Sequence, residues 1–371
     1  MKNKFRSLTL LALAFTVLLS ITPIVSAKTR NSYLTDFIFS TQDTSGNFGS
    51  TVEEMAFSLE IINYYDLFSG QGLGSTEIKV DITEFQNNIK ENITTSFNND
   101  RVDIYNLYYY LESLKTLGVF EETIDSVLHN RIYTYLNQTR VDEGGFAPTN
   151  TSSSANMVST FFVYSIFKLI DEDEDIVNQS ALKSWILMCN NTDGGYGGNN
   201  TLQSNLLTTC YAVFLLNDLG TVDDLDNQTA TLNYLKSLYI NNIADSMNYG
   251  GYLPDTAAEN VLLSSSYYCI TAISLIDNTQ LNPEDTIALV LSRQNFQDGG
   301  FIEYNNDLGQ DLSSITTSYY AFKILLFFDA LYLLNENIFM VEFNFVVLLI
   351  VLVLIGIVIG ILFFIWRKRR I

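Results

Sequence analysis

Two hydrophobic patterns alternate along most of the chain. Residues 124–136 and 176–188 place apolar side chains at three- and four-residue steps beside polar ones, which predicts helices with one wet face. Residues 157–170, 206–219 and 261–276 are apolar on nearly every side, which predicts helices buried over most of their surface. The alternation favours pairs in which an outer, amphipathic helix covers an inner, apolar one.

A glycine-rich turn ending in an aromatic residue separates the members of each pair. The aromatic residues Phe146, Tyr196, Tyr252 and Phe301 are 50, 56 and 49 positions apart, and Phe48 lies 98 positions before Phe146, twice 49. This spacing predicts a degenerate copy at Phe97, and therefore six repeats of about fifty residues. The paired glycines allow positive φ and close backbone approach; they are Gly144, Gly145, Gly194, Gly195, Gly250, Gly251, Gly299 and Gly300.

Repeats of this length bury their apolar faces by stacking on neighbours. Short polar residues stand before the inner helices, where a side-chain oxygen can cap free backbone N–H groups. The predicted caps are Asp103, Asn156, Asn205, Asn260 and Asp311, with Glu53 and Glu54 in the first repeat. Helices this apolar favour closure into a ring, and an open solenoid is the alternative.

The recurring Gly-Gly-Phe/Tyr turns, and inner helices such as that of Thr208, Thr209 and Cys210, resemble the prenyltransferase and squalene-cyclase repeat superfamily over residues 31–335. The resemblance implies an all-α fold, an (α/α)6 toroid of about six helix-pair repeats. It also implies a central cavity entered from the end where the inner helices begin.

The two ends of the chain carry targeting signals. Residues 1–27 combine a basic start, an apolar run and a small-residue cleavage site, which is typical of a signal peptide; an uncleaved anchor is the alternative. Residues 343–366 are long and apolar enough for a transmembrane helix and precede the basic tail 367–371, which favours a cytoplasmic C-terminus. We therefore expect a single-pass type I membrane protein with an extracytoplasmic domain over residues 28–340.

The composition of that domain narrows its partners. Residues 28–340 carry 40 acidic and 13 basic side chains, a net charge of −27, which argues against nucleic acid. The odd number of cysteines, Cys189, Cys210 and Cys269, favours small core residues over a disulfide framework. Sequons agree with an extracellular glycoprotein; their asparagines are Asn92, Asn137, Asn150, Asn178, Asn190, Asn199 and Asn227.

The catalytic residue sets of the superfamily are missing. The resemblance implies, for protein prenyltransferases, a zinc ion held by Asp, Cys and His on the inner helices, but the corresponding helix starts at Ser265 and Thr317 supply none of these ligands. The single histidine, His129, falls on a predicted outer helix, and Cys210 lacks an Asp two positions earlier. The acidic run 171–175 follows an inner helix instead of preceding one. We expect no metal and no cofactor.

Candidate residues for the cavity entrance remain. Paired carboxylates could cleave a glycan, but capping explains the two Asp residues with no further assumption. Hydroxyls and aromatics around a cavity suit binding without chemistry, and close packing of the inner helices explains the small residues equally well. The candidates are Glu53, Glu54, Asp103, Asn156, Asn205, Glu259, Asp311, Thr208, Ser265 and Thr317. The sequence favours a membrane-anchored, non-catalytic toroid that binds an extracytoplasmic ligand or protein. Alternatives are an isoprenoid enzyme of the superfamily, and a glycan hydrolase or lyase.

Overall fold

The computed structural model describes residues 24–44, 46–68, 80–172, 179–225, 227–303 and 312–342, together with Val353 and Arg367. The chain forms two compact units, one of residues 1–30 and 335–371, the other of residues 31–334. In the first unit, strand β1 (Ile24–Thr29) pairs antiparallel with strand β2 (Asn337–Glu342).

The predicted leader and membrane helix fall largely outside the described residues. Residues 24–27, the last four of the predicted leader, belong to β1, and of residues 343–366 only Val353 is described. Within the described part of the chain, no helix combines the length and the apolar character that a membrane crossing requires.

The second unit is built from alternating outer and inner helices. The outer helices are α1 (Arg30–Ser40), α3 (Ile82–Asn98), α6 (Ser126–Gln138), α8 (Gln179–Met188), α10 (Gln228–Ser237) and α12 (Pro283–Ser292). The inner helices are α2 (Val52–Tyr64), α4 (Ile104–Thr116), α7 (Met157–Leu169), α9 (Leu206–Asp218), α11 (Leu263–Asp277) and α13 (Ile315–Phe327). A short helix, α5 (Phe120–Thr123), and three 3₁₀ turns, Val222–Asp224, Asn278–Gln280 and Leu331–Asn335, complete the set.

The inner helices close into a ring. Each packs against the next in chain order, from α2 to α4, α7, α9, α11 and α13, and α13 packs back against α2. Because an outer helix returns the chain between consecutive inner helices, the inner helices run parallel. The predicted toroid is confirmed, and the open solenoid is excluded.

Each of four glycine turns, besides linking the two helices of its repeat, contacts the outer helix of the next repeat. Gly144, Gly194, Gly250 and Gly299 have φ of +117°, +86°, +92° and +97°, a region that L side chains rarely adopt. A Cβ at Gly299 would stand 2.1 Å from the carbonyl oxygen of Tyr33 on α1. The other three turns meet the backbone of the following outer helix in the same way, so the turn of the last repeat, resting on the first outer helix, closes the outer ring.

A hydroxyl of the inner helix holds each of the last four aromatic markers in place. The backbone N–H groups of the markers donate to buried side-chain oxygens at 2.9–3.1 Å. The pairs are Phe146 with Thr160, Tyr196 with Thr209, Tyr252 with Ser266, and Phe301 with Ser318. These hydroxyls therefore satisfy buried donors of the turn, which would otherwise destabilise the fold.

The predicted N-caps are partly right. Asp103, Asn156 and Asn205 cap α4, α7 and α9. The caps of α2 and α13 are Thr51 and Ser314 instead of Glu53 or Glu54 and Asp311.

The prediction of Asn260 as the N-cap of α11 is also wrong. Leu262 occupies that position and has no side-chain oxygen. The first N–H of α11, at Leu263, donates instead to the Glu303 carboxylate of the next repeat at 2.5 Å. A carboxylate at a helix N-terminus is favourable, so a neighbouring repeat supplies the cap that the local sequence lacks.

The second repeat departs from the pattern at its marker. The predicted helix pair is present, but Phe97 lies in the last turn of α3 and not in a glycine turn after it. Its ring packs edge-on against Tyr135 of α6 at 5.7 Å. Phe97 therefore keeps contact with the following outer helix without the turn.

Five of the six inner helices end alike. Asp66, Gly118, Asp171, Gly220 and Asp329 follow α2, α4, α7, α9 and α13, and all have φ between +52° and +72°. The next residue's N–H returns to a carbonyl of the last helical turn, as from Glu172 to Phe167 at 2.9 Å. This is the left-handed helix stop that glycine serves best and that aspartate tolerates.

We predict that Gly299→Ala destabilises the protein more than Gly118→Ala. Both glycines have positive φ, but a Cβ at Gly118 meets nothing within 4 Å, whereas one at Gly299 collides with the Tyr33 carbonyl. Gly118→Ala should cost about 1–2 kcal/mol from backbone strain alone. Urea denaturation of both variants should show a clearly larger loss for Gly299→Ala; equal losses would mean that this contact does not hold the ring closed.

Candidate functional site

One residue from each inner helix forms a closed ring of aromatic side chains at the centre of the toroid. We name this ring the aromatic collar; its members are Phe57, Tyr109, Phe162, Tyr211, Tyr268 and Tyr320. In that order neighbouring ring centroids lie 5.5, 6.1, 6.1, 5.7 and 5.5 Å apart, and Tyr320 returns to Phe57 at 5.6 Å. Tilted and edge-on pairs at such distances are favourable.

Stacking contacts and a pair of hydroxyls support the collar. Phe57 stacks on Tyr319 at 3.7 Å, and Phe161 stacks on Tyr211 at 4.1 Å. The hydroxyls of Tyr268 and Tyr320 are 2.9 Å apart. Burial raises the pKa of Tyr268 to about 12, so its hydroxyl stays neutral at physiological pH.

A cavity of about 790 Å³ opens on the far side of the collar. It extends from collar residues such as Tyr268 past Phe214 and Thr271 to the last turns of the inner helices. There it reaches partly exposed side chains, which we call the mouth: Thr116, Lys168, Leu169, Asp218 and Leu275. The sequence places the entrance at the starts of the inner helices. The cavity lined by these residues lies on the other side of the collar and opens where the inner helices end.

The cavity holds an ion pair across the junction of the first and last repeats. The Lys323 ammonium on α13 donates to Glu60 on α2 at 2.7 Å, and the Tyr319 hydroxyl donates to the other oxygen of Glu60 at 2.6 Å. Burial, the largest single effect, would lower the pKa of Lys323, but Glu60, Tyr267 and Glu112 together raise it. Glu60 is thus fully engaged by groups of α13.

Glu112 on α4 is the second carboxyl group of the cavity. Burial, with the Glu60 charge nearby, raises the pKa of Glu112. The Tyr108 hydroxyl within hydrogen-bonding reach and the more distant charges of Lys323 and Lys115 oppose that rise. Among the described residues, no lysine or arginine nitrogen is recorded within 4 Å of it. Glu112 is therefore a carboxyl group in an aromatic chamber without a cation of its own, and it can accept a ligand's charge or give up a proton.

The residues predicted for the cavity entrance form hydrogen bonds within the fold. Glu54 accepts hydrogen bonds from the N–H and hydroxyl of Ser50, at 2.7 and 3.0 Å, beside the Thr51 cap. Glu53 lies on the opposite side of the collar from the cavity and accepts from the Tyr109 hydroxyl at 3.0 Å. Asp103, Asn156 and Asn205 are the helix caps described above, and none of them lines the cavity.

The remaining candidates are also away from the cavity. The Thr208 hydroxyl donates to the carbonyl of Tyr196 at 2.6 Å, and that of Thr317 to Glu303 at 2.5 Å. Ser265 is buried in the first turn of α11 and Glu259 is exposed in the preceding loop. Asp311 lies outside the described residues.

The residues present do not fit a catalytic zinc. Cys210 is fully buried, and burial raises the pKa of its thiol, which disfavours the thiolate that binds metal. His129 lies on outer helix α6, with its Nε2 3.2 Å from the Ile170 carbonyl oxygen. In the described part of the chain, no three His, Cys, Asp or Glu side chains are grouped to hold a metal ion. All three cysteines are buried and free.

Comparison with known proteins identifies the family. The family model of the prenyltransferase alpha-alpha toroid domain matches residues 78–239 and 247–343. The chain therefore belongs to this family. A comparison with curated protein sequences found no match.

Solved structures share the fold at low identity. Candida albicans protein geranylgeranyltransferase-I, solved with GGPP, is 17% identical with a TM-score of 0.60 over 77% of this chain and 86% of that chain. The type II terpene cyclase MstE from Scytonema, in complex with geranylgeranyl dihydroxybenzoate, is 12% identical with a TM-score of 0.50 over 84% of this chain and 98% of that chain. These similarities support the toroid fold alone.

We predict that Glu112→Gln raises the melting temperature of the ligand-free protein at pH 8 but not at pH 4. The folded-state pKa of Glu112 lies above the ordinary value of 4.5, so its contribution to stability is present below that value and is lost as pH rises through the raised pKa. Glutamine remains neutral throughout and keeps an acceptor for Tyr108.

The control is Glu91→Gln, because Glu91 is exposed on outer helix α3. Thermal denaturation of the wild type, Glu112→Gln and the control variant at pH 4 and pH 8 measures the three melting temperatures. A Glu112→Gln effect that is the same at pH 4 and pH 8 would contradict the raised pKa.

Proposed function

We propose that this protein is a membrane-anchored, extracytoplasmic toroid that binds a small molecule in the cavity behind the aromatic collar, without prenyl transfer. The observation that carries the proposal is the cavity of about 790 Å³ with its aromatic walls. Pockets of this size, mostly apolar with a few polar groups, suit ligands of drug-like dimensions. The leader, the C-terminal apolar segment and the sequons support the location.

The position of the cavity supports a role different from that of the zinc-dependent transferases. The collar occupies the centre of the ring next to the helix starts, where the superfamily resemblance places the metal ligands. Groups that would hold a thiolate acceptor are replaced by structural ones: the Thr317 hydroxyl bonds Glu303, and Ser266 bonds the turn at Tyr252. Binding is therefore better supported than group transfer.

A second candidate is acid catalysis on an isoprenoid inside the same cavity. The observation that favours it is Glu112, a carboxyl group whose pKa burial raises, beside aromatic faces that stabilise positive charge. The structurally similar cyclase binds geranylgeranyl dihydroxybenzoate as its substrate. Cyclisation of an isoprenoid probe by the wild-type protein, lost in Glu112→Gln, would favour this candidate over binding alone.

Paired carboxylates for glycan cleavage receive less support. Glu60 and Glu112 are the two carboxylates on the inner wall of the cavity, but Glu60 is held by Lys323 and Tyr319. A nucleophile or base must be free to reach substrate or water. Glu60 is therefore placed for structure.

We predict that Ser165→Trp empties the cavity of its ligand, whereas Ser184→Trp does not. Ser165 lines the cavity on α7, and Ser184 is exposed on outer helix α8. The indole at position 165 should fill most of the space between Phe214 and Tyr108, and both variants should fold. Native mass spectrometry of full-length protein purified from its own cells should detect a small molecule on the wild type and on Ser184→Trp.

The same bound molecule on Ser165→Trp at wild-type occupancy would contradict cavity binding. Near-complete loss is expected instead, because the added ring and the ligand compete for one volume. Circular dichroism of both variants confirms that the fold is retained.

A further inference from the structure

The side chains that line the cavity carry more negative than positive charges. Five charged side chains line it: Glu60, Glu112, Lys168, Asp218 and Lys323. Lys323 pairs with Glu60 at 2.7 Å, and Lys168 pairs with Asp218 at 2.7 Å across the mouth. Glu112 is left as one carboxylate in excess. A partly buried charge is costly unless it is paired, and a ligand can supply a partner for Glu112.

The helix ends add to the same negative field. The inner helices run parallel, so their C-termini all surround the mouth of the cavity. The carboxyl end of a helix carries a partial negative charge of about half an elementary charge, which favours cations within its last turn. The cavity thus opens at the end of the toroid where the inner-helix dipoles are negative.

Carboxylates stand at these helix ends. Asp66, Asp171 and Asp329 occupy the left-handed stop positions of α2, α7 and α13, where the corresponding residues of α4 and α9 are Gly118 and Gly220. All three aspartates are exposed. The whole chain has a net charge of −21, and a negative rim of this kind concentrates positively charged ligands near a cleft.

The walls of the cavity suit an organic cation better than a bare metal ion. Phe161, Phe214, Tyr108 and Tyr267 line the cavity together with Glu112, and the faces of such rings attract ammonium groups. Among the described residues, no three His, Cys, Asp or Glu side chains are grouped to hold a metal ion. An anionic ligand would face the helix C-termini and the excess carboxylate.

We propose that the cavity binds an organic cation, an ammonium head group carried on an apolar body, with the head group on Glu112 and the body against the aromatic walls. This inference rests on the proposed binding function and names its ligand class. The Glu60–Lys323 pair remains intact, because it also joins the first and last inner helices.

Calorimetric titration of the full-length protein in a maltoside detergent tests the proposal with three probes of the same chain length: hexyltrimethylammonium, hexanol and hexanesulfonate. The wild type should bind the cation about tenfold more tightly than the alcohol or the sulfonate. Glu112→Gln should lose that preference and bind hexanol as the wild type does. Glu91→Gln, changed on the exposed face of outer helix α3, should match the wild type.

A triple variant, Asp66→Gly, Asp171→Gly and Asp329→Gly, tests the rim. Glycine is the preferred residue at such helix ends, so the variant should fold, and its binding of the cation should weaken mainly at low salt. Equal affinity of the wild type for the three probes, or an unchanged preference in Glu112→Gln, would overturn the cation assignment while leaving the cavity a binding site. Failure of all three probes to bind would overturn the cavity function as well.

Discussion

Packing at the centre of the ring depends on the closed cycle of aromatic side chains in the collar. Each inner helix contributes one ring, and each ring touches its two neighbours, so the packing is complete only when the last helix meets the first at Phe57 and Tyr320. Edge-on and tilted aromatic contacts contribute about 0.5–1.5 kcal/mol each beyond the area they bury. The cycle therefore fixes the spacing of the inner helices, and the cavity lies on the side of the collar where these helices end.

Closure of the outer ring rests on a different contact, that of the glycine turns with the next outer helix. Gly299 lies against the Tyr33 backbone as Gly144 lies against that of Ala181, so the junction between the last and first repeats copies the junctions inside the chain. At the inner ring, the Glu60–Lys323 pair joins the same two repeats. This ion pair also lines the cavity. The same two side chains therefore help to close the ring and contribute charge to the site.

Sequence pattern predicted much of this fold. The glycine turns and the all-round apolar helices gave the repeat number and the pairing of outer with inner helices. Capping was predictable where Asp or Asn stood directly before the helix, as at Asp103 and Asn205, and failed at Asn260 because Glu303, distant in sequence, supplies the cap. No local pattern encodes a cap from another repeat.

The cavity was harder to foresee. Each collar residue stands six positions after the cap of its helix, as Phe162 follows Asn156, but this spacing becomes visible only once the true caps are known. Glu60, Glu112 and Lys323 carried a signal that was missed: they are charged side chains inside otherwise apolar helices, where burial is costly. The open end of the cavity depends on how the collar side chains meet in space, which no single repeat determines.

The most direct measurement is the rate at which a thiol reagent modifies Ser165→Cys in the folded protein. Ser165 lines the cavity, and the three native cysteines are buried, so intact mass reports the new thiol. Labelling should slow strongly when Thr116→Trp narrows the mouth and should not change when Thr316→Trp is placed at the start of α13, on the far side of the collar. Slower labelling with Thr316→Trp, but not with Thr116→Trp, would mean that the centre is open at the helix starts and that the collar does not close it.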